Sequence, residues 1–543
     1  MVNKALLIIN TIKYLKFIQI FNRVKRKLIK LSPDLSGASS IIFPKIKVCS
    51  FIEAQEKMLN ENEFKFLNII SSVQKKEDWN SNKHEKLWLY NLHYFDDLNA
   101  FNSHKRLNWH RSLIENWIDN NPPGYGNGWE AYPSSLRIVN WIKWILSGNS
   151  FEKEWLDSLT IQLRYLSINL EKHLLGNHLF SNGKALIFGG LIFQGDEAKE
   201  WYKVGLNILE NELPKQVLED GGNFELSPMY HGIFLEDLLD IVNLHQSYNI
   251  KLPSNVNSSI LNMINWLKIM NHPDGNISFF NDATNGISPS LADLLNYALK
   301  LNIDLEPKAN NTLTYLKSSG YVRVAKNDFV SIIDLANIGP DYLPGHGHAD
   351  ALSFELSLFS KRVIVNSGIS TYEIGNDRHY QRGTSSHSTI TIDEENSSEV
   401  WDGFRVARRS RVKNIHISQS DLISISACHD GYHRLKGKPS HCREWIFYEK
   451  KIEIIDNISG SGDHKIKSVL PIHPDVLVLK IDHSYVELEV QGNKINIKFE
   501  GIGELQVVSS NYYPGFGETI MNKQLIYSYN GVIPFKLKTR ISW

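Results

Sequence analysis

The stretch Tyr321-Val-Arg-Val-Ala-Lys-Asn-Asp-Phe-Val-Ser-Ile-Ile333 marks a change of period in the chain. Tyr321–Val324 and the run from Phe329 alternate as strands do, with successive side chains pointing to opposite faces. From there to Trp543, short β-branched runs recur: Val363–Val365, Thr389–Ile392, Ile415–Ile417, Leu422–Ile425, Lys451–Ile455, Val476–Leu479, Val486–Val490 and Ile495–Phe499. Turn residues separate them, as at Asp430-Gly, Gly460-Ser-Gly, Gly492-Asn and Asn530-Gly. Strands at this spacing specify an all-β sandwich. Upstream, from about Phe51 to Leu301, the periodicity is helical, with long apolar-periodic segments at Leu156–Leu175, Trp201–Leu213, Phe234–His245 and Ile260–Met270. No strong strand signal interrupts them. The expected architecture is an α domain followed by a β domain, with the site between the two, because pockets favour domain interfaces.

Composition narrows the function. The chain has 543 residues, 42% apolar and 22% charged, with Gly 34 and Pro 18, which excludes disordered and collagen-like classes. No apolar run is long enough for a transmembrane helix. Three cysteines, Cys49, Cys428 and Cys442, allow at most one bridge and no Cys-rich zinc module. Lys+Arg 59 balances Asp+Glu 59. Binding of a polyanion by bulk charge is therefore not expected, no nucleic-acid partner is expected, and an anionic ligand must be met locally.

The amino terminus departs from this balance. Lys4, Lys13, Lys16, Arg23, Lys25, Arg26, Lys27 and Lys30 precede the first acid, Asp34. Leu6, Ile9, Ile12, Leu15, Ile18 and Phe21 step by three, which suits one stripe of a helix. Asn10 and Lys13 interrupt the apolar run and no A-x-A site follows, unlike a cleaved secretory signal. The expectation for residues 1–40 is a basic amphipathic helix and a linker (Pro33–Ser40), followed by an α domain over 41–315 and a β domain over 316–543. Residues 1–31 either pack on their own protein or lie on a membrane surface or a partner.

Several polar clusters stand out. Gly345-His-Gly-His-Ala-Asp350 leads into an apolar run, which as a strand would put His346, His348 and Asp350 on one face. Burying two imidazoles and a carboxylate is costly unless they are paired or bind a metal. Val365-Asn-Ser-Gly368 ends a second apolar run, and Arg382-Gly-Thr-Ser-Ser-His-Ser-Thr389 places an arginine before a histidine. His348 and His387 are candidate nitrogen donors to zinc. In the helical part, Asn177, His178, Glu225, Tyr230 and His231 sit among apolar neighbours, where a capping role does not explain them, whereas Asn182 and Asp220 read as caps. Trp129 and Tyr132 are candidates to stack on sugar rings.

Together these motifs resemble the heparinase II/III-like family of polysaccharide lyases. The resemblance rests on Asn177-His178, SPMYH at Ser227–His231, HGHAD at His346–Asp350, VNSG at Val365–Gly368, RGTSSHST at Arg382–Thr389 and the stretch Ser398–Arg409, in the right order. It implies an N-terminal (α/α) toroid and a C-terminal antiparallel β-sandwich. It also implies β-elimination on a uronic acid in an acidic polysaccharide. In that chemistry Asn177 and His178 neutralise the substrate carboxylate, and Tyr230 and His346 act as acid and base. Trp129, Glu225 and Arg382 are the implied substrate-binding residues. A structural zinc is implied on His348, Asn366 and His387, with Asn366 standing where the family usually has Asp. Asp350 reads as a partner that orients an imidazole. Relatives of this kind are mostly in the cell envelope or periplasm, and the alternative is the cytoplasmic face of the inner membrane. Oligomeric state is left open. Two other functional classes compete: a glycoside hydrolase, which needs two carboxylates flanking the bond, and a non-catalytic polysaccharide-binding or assembly protein of a capsule or lipopolysaccharide pathway.

Overall fold

A computed structural model of the protein describes residues 4–29, 31–305 and 311–543. The opening segment forms two helices, α1 (Lys4–Ile12) and α2 (Phe17–Leu28), not the single helix expected. Lys30 lies outside the described residues. Residues expected to be wholly helical then begin with a small antiparallel sheet, β1 (Met58–Asn60), β2 (Glu63–Phe66) and β3 (Ile69–Ser72). Its strands are too short for a period to register. The β2–β3 turn is Leu67-Asn68, both at positive φ as a two-residue hairpin of the primed type requires. Phe66 anchors this sheet edge-on to Trp88, with ring centroids 5.3 Å apart.

The helical periodicity then holds. The chain runs through α3 (Lys86–Tyr94), α4 (Leu107–Asn120), α5 (Ala131–Leu146), α6 (Lys153–Ile168), α7 (Gly176–Ile192), α8 (Asp196–Gln216), α9 (Pro228–Ser247), α10 (Val256–Met270) and α11 (Leu291–Lys300). Odd-numbered helices contact one another in sequence and form an inner ring, while α4, α6, α8 and α10 pack outside. This is an (α/α) toroid. The inner helices α7 and α9 are buried on nearly every side, which explains why their apolar residues run almost continuously. The ring centre is polar: Lys184 Nζ lies 2.6 Å from both Asp237 and Asp240, and Lys143 Nζ lies 2.6 Å from Asp240.

The second half is an antiparallel β-sandwich. One sheet contains β4 (Leu313–Leu316), β5 (Tyr321–Lys326), β6 (Phe329–Asp334), β7 (Phe354–Leu358) and β8 (Lys361–Ile364), in that order, continuing through strands Asp463–Ile472, Ile520–Val532 and Glu504–Tyr512. The facing sheet runs from Val412–Gln419 to Leu477–Asp482. Cys428 and Cys442, directly opposite on neighbouring strands of that sheet, form a disulfide. Both faces of β6 are buried, in keeping with apolar residues on each, Phe329 and Ile333 on one and Val330 and Ile332 on the other. Val322, Ile333 and Leu356 face the sandwich core. Tyr321, Val330 and Ile332 face Leu226, Trp266, Met270 and Phe280 of the toroid. The sheet is therefore the floor on which the toroid sits, and the loops between its strands project into the seam. The segment 345–353, expected as strand, is one of those loops, and pairing starts only at Phe354.

Candidate active site

The seam brings the polar motifs together from both domains. Ser227 caps α9: its Oγ accepts from the Tyr230 amide at 3.3 Å and donates to the Asp282 carbonyl at 2.6 Å. With Pro228 in the first turn, this places Tyr230 at the helix mouth. Its ring stacks on His346, centroids 3.9 Å apart, and its hydroxyl shares a 2.9 Å hydrogen bond with that of Tyr372. Burial, followed by the neighbouring Tyr372, pushes the Tyr230 phenol well above its ordinary range, so it rests protonated.

Asp282 is the hub of the cluster. Its carboxylate lies 2.9 Å from His346 Nδ1 and 2.9 Å from His348 Nε2, and the Arg378 guanidinium grips both oxygens, with Nη2 at 2.7 Å. Burial alone would raise this carboxyl, but Arg378 and the two imidazoles outweigh it and hold it well below the usual range. A carboxylate only accepts, so His346 carries its proton on Nδ1 and His348 on Nε2. His346 Nε2, on the other side of the ring, lies 3.5 Å from Glu225 Oε2. The other oxygen of Glu225 accepts from the backbone N–H of Asn177 at 3.4 Å, so Glu225 joins the sandwich wall to the toroid wall.

Asn177 and His178 occupy the first turn of α7. Gly176 before them has φ +58°, and a Cβ there would lie 2.4 Å from the Leu343 side chain. Only glycine lets the helix start this close to the loop that leads to His346. His178 Nδ1 lies 3.1 Å from Glu171 Oε1, and Asn182 holds Glu171 through both its amide atoms. Burial would depress the His178 imidazole, but Glu171 outweighs that and raises it. The ring lies beside that of Tyr132, with centroids 4.4 Å apart. From Tyr132, Tyr230 and Tyr372 a cavity of about 500 Å³ extends over the toroid centre past Tyr94, Glu236 and Asp237.

Two expected substrate contacts are corrected. Trp129 is 3% exposed and donates from its indole to the Asn121 carbonyl at 3.0 Å. It belongs to the toroid core, and Tyr132 is the aromatic that reaches the cleft. Arg382 is fully buried, its guanidinium bonded to the carbonyls of Gly347, Asp402 and Gly403. It braces the 345–350 loop from behind. His231, flagged by its apolar surroundings, is a satisfied core histidine between the Asn223 amide and the Met263 carbonyl.

Residues 45–304 match the family described as Heparinase II/III N-terminus, and residues 308–543 that described as Heparinase II/III-like, C-terminal. The chain belongs to the heparinase II/III family. Among its relatives, a heparin-sulfate lyase of Pedobacter heparinus is 28% identical over 274 residues, 46% of this chain and 40% of the relative. A heparin-sulfate lyase of Bacteroides thetaiotaomicron is 24% identical over 337 residues, 52% of this chain and 47% of the relative. The chain thus matches less than half the length of these curated relatives. A crystal structure of heparinase III superposes with a TM-score of 0.73 at 19% identity, covering 87% of this chain and 80% of that one. A heparan sulfate lyase from Pedobacter heparinus gives 0.60 at 18% identity, covering 97% and 88%. These likenesses fix the fold as a toroid followed by a sandwich.

Within this heparinase II/III site, Asp282, Arg378, Tyr372 and Glu171 were not singled out from sequence. Asp282 lies in Ser278-Phe-Phe-Asn-Asp-Ala-Thr284, a single acid after two aromatics in a stretch with no periodicity. Acids enclosed by aromatic neighbours and outside any helix are the signal that would have found it. Arg378 and Tyr372 carry no comparable mark.

Proposed function

We propose that the protein is a polysaccharide lyase that cleaves a uronic-acid-containing polysaccharide by β-elimination. The observation that carries this reading is His346, bonded through Nδ1 to Asp282 and stacked on Tyr230, with His178 paired to Glu171 across Glu225. The uronate C5 proton is weakly acidic while the adjacent carboxylate is charged. His178 and the side-chain amide of Asn177 neutralise that carboxylate as charge builds on it, an electrostatic contribution of several kcal/mol in typical enzymes, about 3 per donor. His346 Nε2 takes the C5 proton, the C4–O bond breaks, a C4=C5 double bond forms, and Tyr230 Oη protonates the departing oxygen. Hydrolysis needs two carboxylates flanking the bond, whereas Asp282, Glu225 and Glu171 each lie against a histidine, which puts phenol and imidazole in the acid and base roles of this reading. The relatives' names make heparan-sulfate-type chains the first substrates to try.

The same reading assigns a structural zinc next to this site. His348 Nδ1 lies 3.3 Å from His387 Nε2, and donor atoms of His348, Asp350 and His387 fall within 4.8 Å of one another. Asn366 has both side-chain amide atoms buried without a partner, and its neighbour Ser367 bonds Ser386, beside His387. Two neutral imidazoles, a carboxylate and an orphaned amide oxygen suit a tetrahedral zinc. Bound there, the ion would pin the 345–350 loop to the 384–389 turn. We place the protein in the cell envelope, where the Cys428–Cys442 bridge would persist.

The test is a screen of uronate polysaccharides, read by the ultraviolet absorbance of the unsaturated product. Wild type should generate absorbance, and Tyr230→Phe should keep the fold while losing about 10²-fold or more in rate. New reducing ends without absorbance would indicate a hydrolase, and no product on any uronate polymer a binding protein.

A further inference from the structure

The opening helices dock on the protein with the wrong face for a packed amphipathic helix. Gln19 is the buried residue of α2, and its amide donates to the Leu174 carbonyl at 3.3 Å and the Tyr342 carbonyl at 3.2 Å. In α1, Thr11 Oγ1 accepts from the Trp401 indole at 3.0 Å. Lys16 lies over the Tyr342 ring at 3.4 Å, and Arg409 stacks on Tyr14. The contacts are polar, while the apolar stripe points away. Phe17 is 81% and Leu28 79% exposed, with Phe21 and Val24 between them on the same face, and Ile9 and Ile12 of α1 are exposed as well. At about 3.6 residues per turn, Lys25 and Lys27 flank this stripe on its two sides. A packed helix buries its apolar stripe and exposes its charges. Here the arrangement is inverted.

We propose that α1 and α2 form an interfacial anchor that lies in the plane of an anionic lipid surface, with the Phe17–Phe21–Val24–Leu28 stripe in the headgroup region and the flanking lysines on lipid phosphates. The charge decides between occupants. No acid precedes Asp34, so a second copy would bring two basic faces together, whereas an anionic bilayer complements both the stripe and the charges. No helix among the described residues is long and apolar enough to cross a membrane, so the pair lies on the surface. Aromatic and aliphatic side chains flanked by lysine are the composition that binds this way, reversibly and with salt sensitivity. The docking points add a consequence. Leu174 precedes Asn177 by three residues and Tyr342 precedes His346 by four, so the anchor sits against the two loops that carry the catalytic walls. Membrane binding would hold the cleft beside the bilayer.

Co-sedimentation of the full-length protein with vesicles tests this without any activity assay. Vesicles containing phosphatidylglycerol should bind it, pure phosphatidylcholine vesicles should bind it far less, and raised salt should release it. The triple change Phe17→Ser, Phe21→Ser, Leu28→Ser should abolish binding with an unchanged melting temperature, since these side chains touch solvent. Lys25→Gln with Lys27→Gln should weaken binding to anionic vesicles roughly tenfold. Absence of binding to anionic vesicles overturns the proposal. So does a dimer by light scattering that the triple change converts to a monomer, which would make the stripe a self-association face. Equal, salt-insensitive binding to both vesicle types would overturn the role of the lysines and of anionic lipid.

Discussion

Asp282→Asn is the sharpest perturbation of the cluster. The wild-type carboxylate accepts from His346 Nδ1, His348 Nε2 and both terminal nitrogens of Arg378, and is completely buried. An amide keeps the shape but offers one acceptor, turns an N–H₂ toward other donors, and leaves the buried Arg378 without a counter-ion. Breaking one side of such a pair costs about 3–5 kcal/mol of stability. The wild-type carboxyl is held below its usual range, so its contribution is fully present above roughly pH 4 and lost only as pH falls toward the folded value. The stability gap between variant and wild type should therefore be flat across neutral pH. Activity should fall by about 10²–10⁴, because nothing then fixes the proton on His346 Nδ1. Chemical denaturation and initial rates of ultraviolet product formation measure the two effects. Adding Arg378→Met to Asp282→Asn removes the orphaned cation while keeping apolar contact with Tyr372 and Phe404, whose rings the guanidinium covers at 4.9 and 5.2 Å. Much of the stability should return and the activity should not. Recovery of turnover in the double variant, or near-wild-type turnover in Asp282→Asn, would refute the positioning role and leave Asp282 a scaffold residue.

Other outcomes follow from the same geometry. Glu171→Gln removes the anion that raises the His178 imidazole, so the rise of KM with increasing pH should begin at lower pH than in wild type, while kcat at acid pH changes little; an unshifted KM profile would mean His178 does not meet the substrate as a cation. Zinc analysis after zinc-replete purification should give up to one ion per chain, with Asn366→Asp tightening retention against a chelator and Asp350→Asn weakening it; no zinc in wild type or Asn366→Asp would make His348, Asn366 and His387 a hydrogen-bonded cluster.

Much of this architecture is local information. The switch from helical to strand period near Tyr321 separates the toroid from the sandwich, because each period reports one face of one element. The SPMY turn is equally legible: Ser227 as cap and Pro228 after it place Tyr230 in the first turn of α9 whatever it faces. Gly345-His-Gly-His drew notice because two imidazoles beside an apolar run need partners, but the sequence could not say that 345–353 is a loop. Tertiary structure decided who the partners are. Asp282, 64 residues from His346, is found only when the toroid's last loops are laid on the sandwich, and nothing in its own neighbourhood codes for that contact. Trp129 and Tyr132 illustrate the same limit. They are three residues apart and chemically alike, yet one is core and the other lines the cavity, because the toroid's closure fixes which side of α5's entry faces inward. The amino-terminal stripe is visible in sequence as amphipathic; that its apolar side points outward is set by Gln19 and Thr11 finding polar partners at Leu174, Tyr342 and Trp401, far along the chain. Periodicity reports that a helix has two faces, and only the fold determines which of them meets the protein.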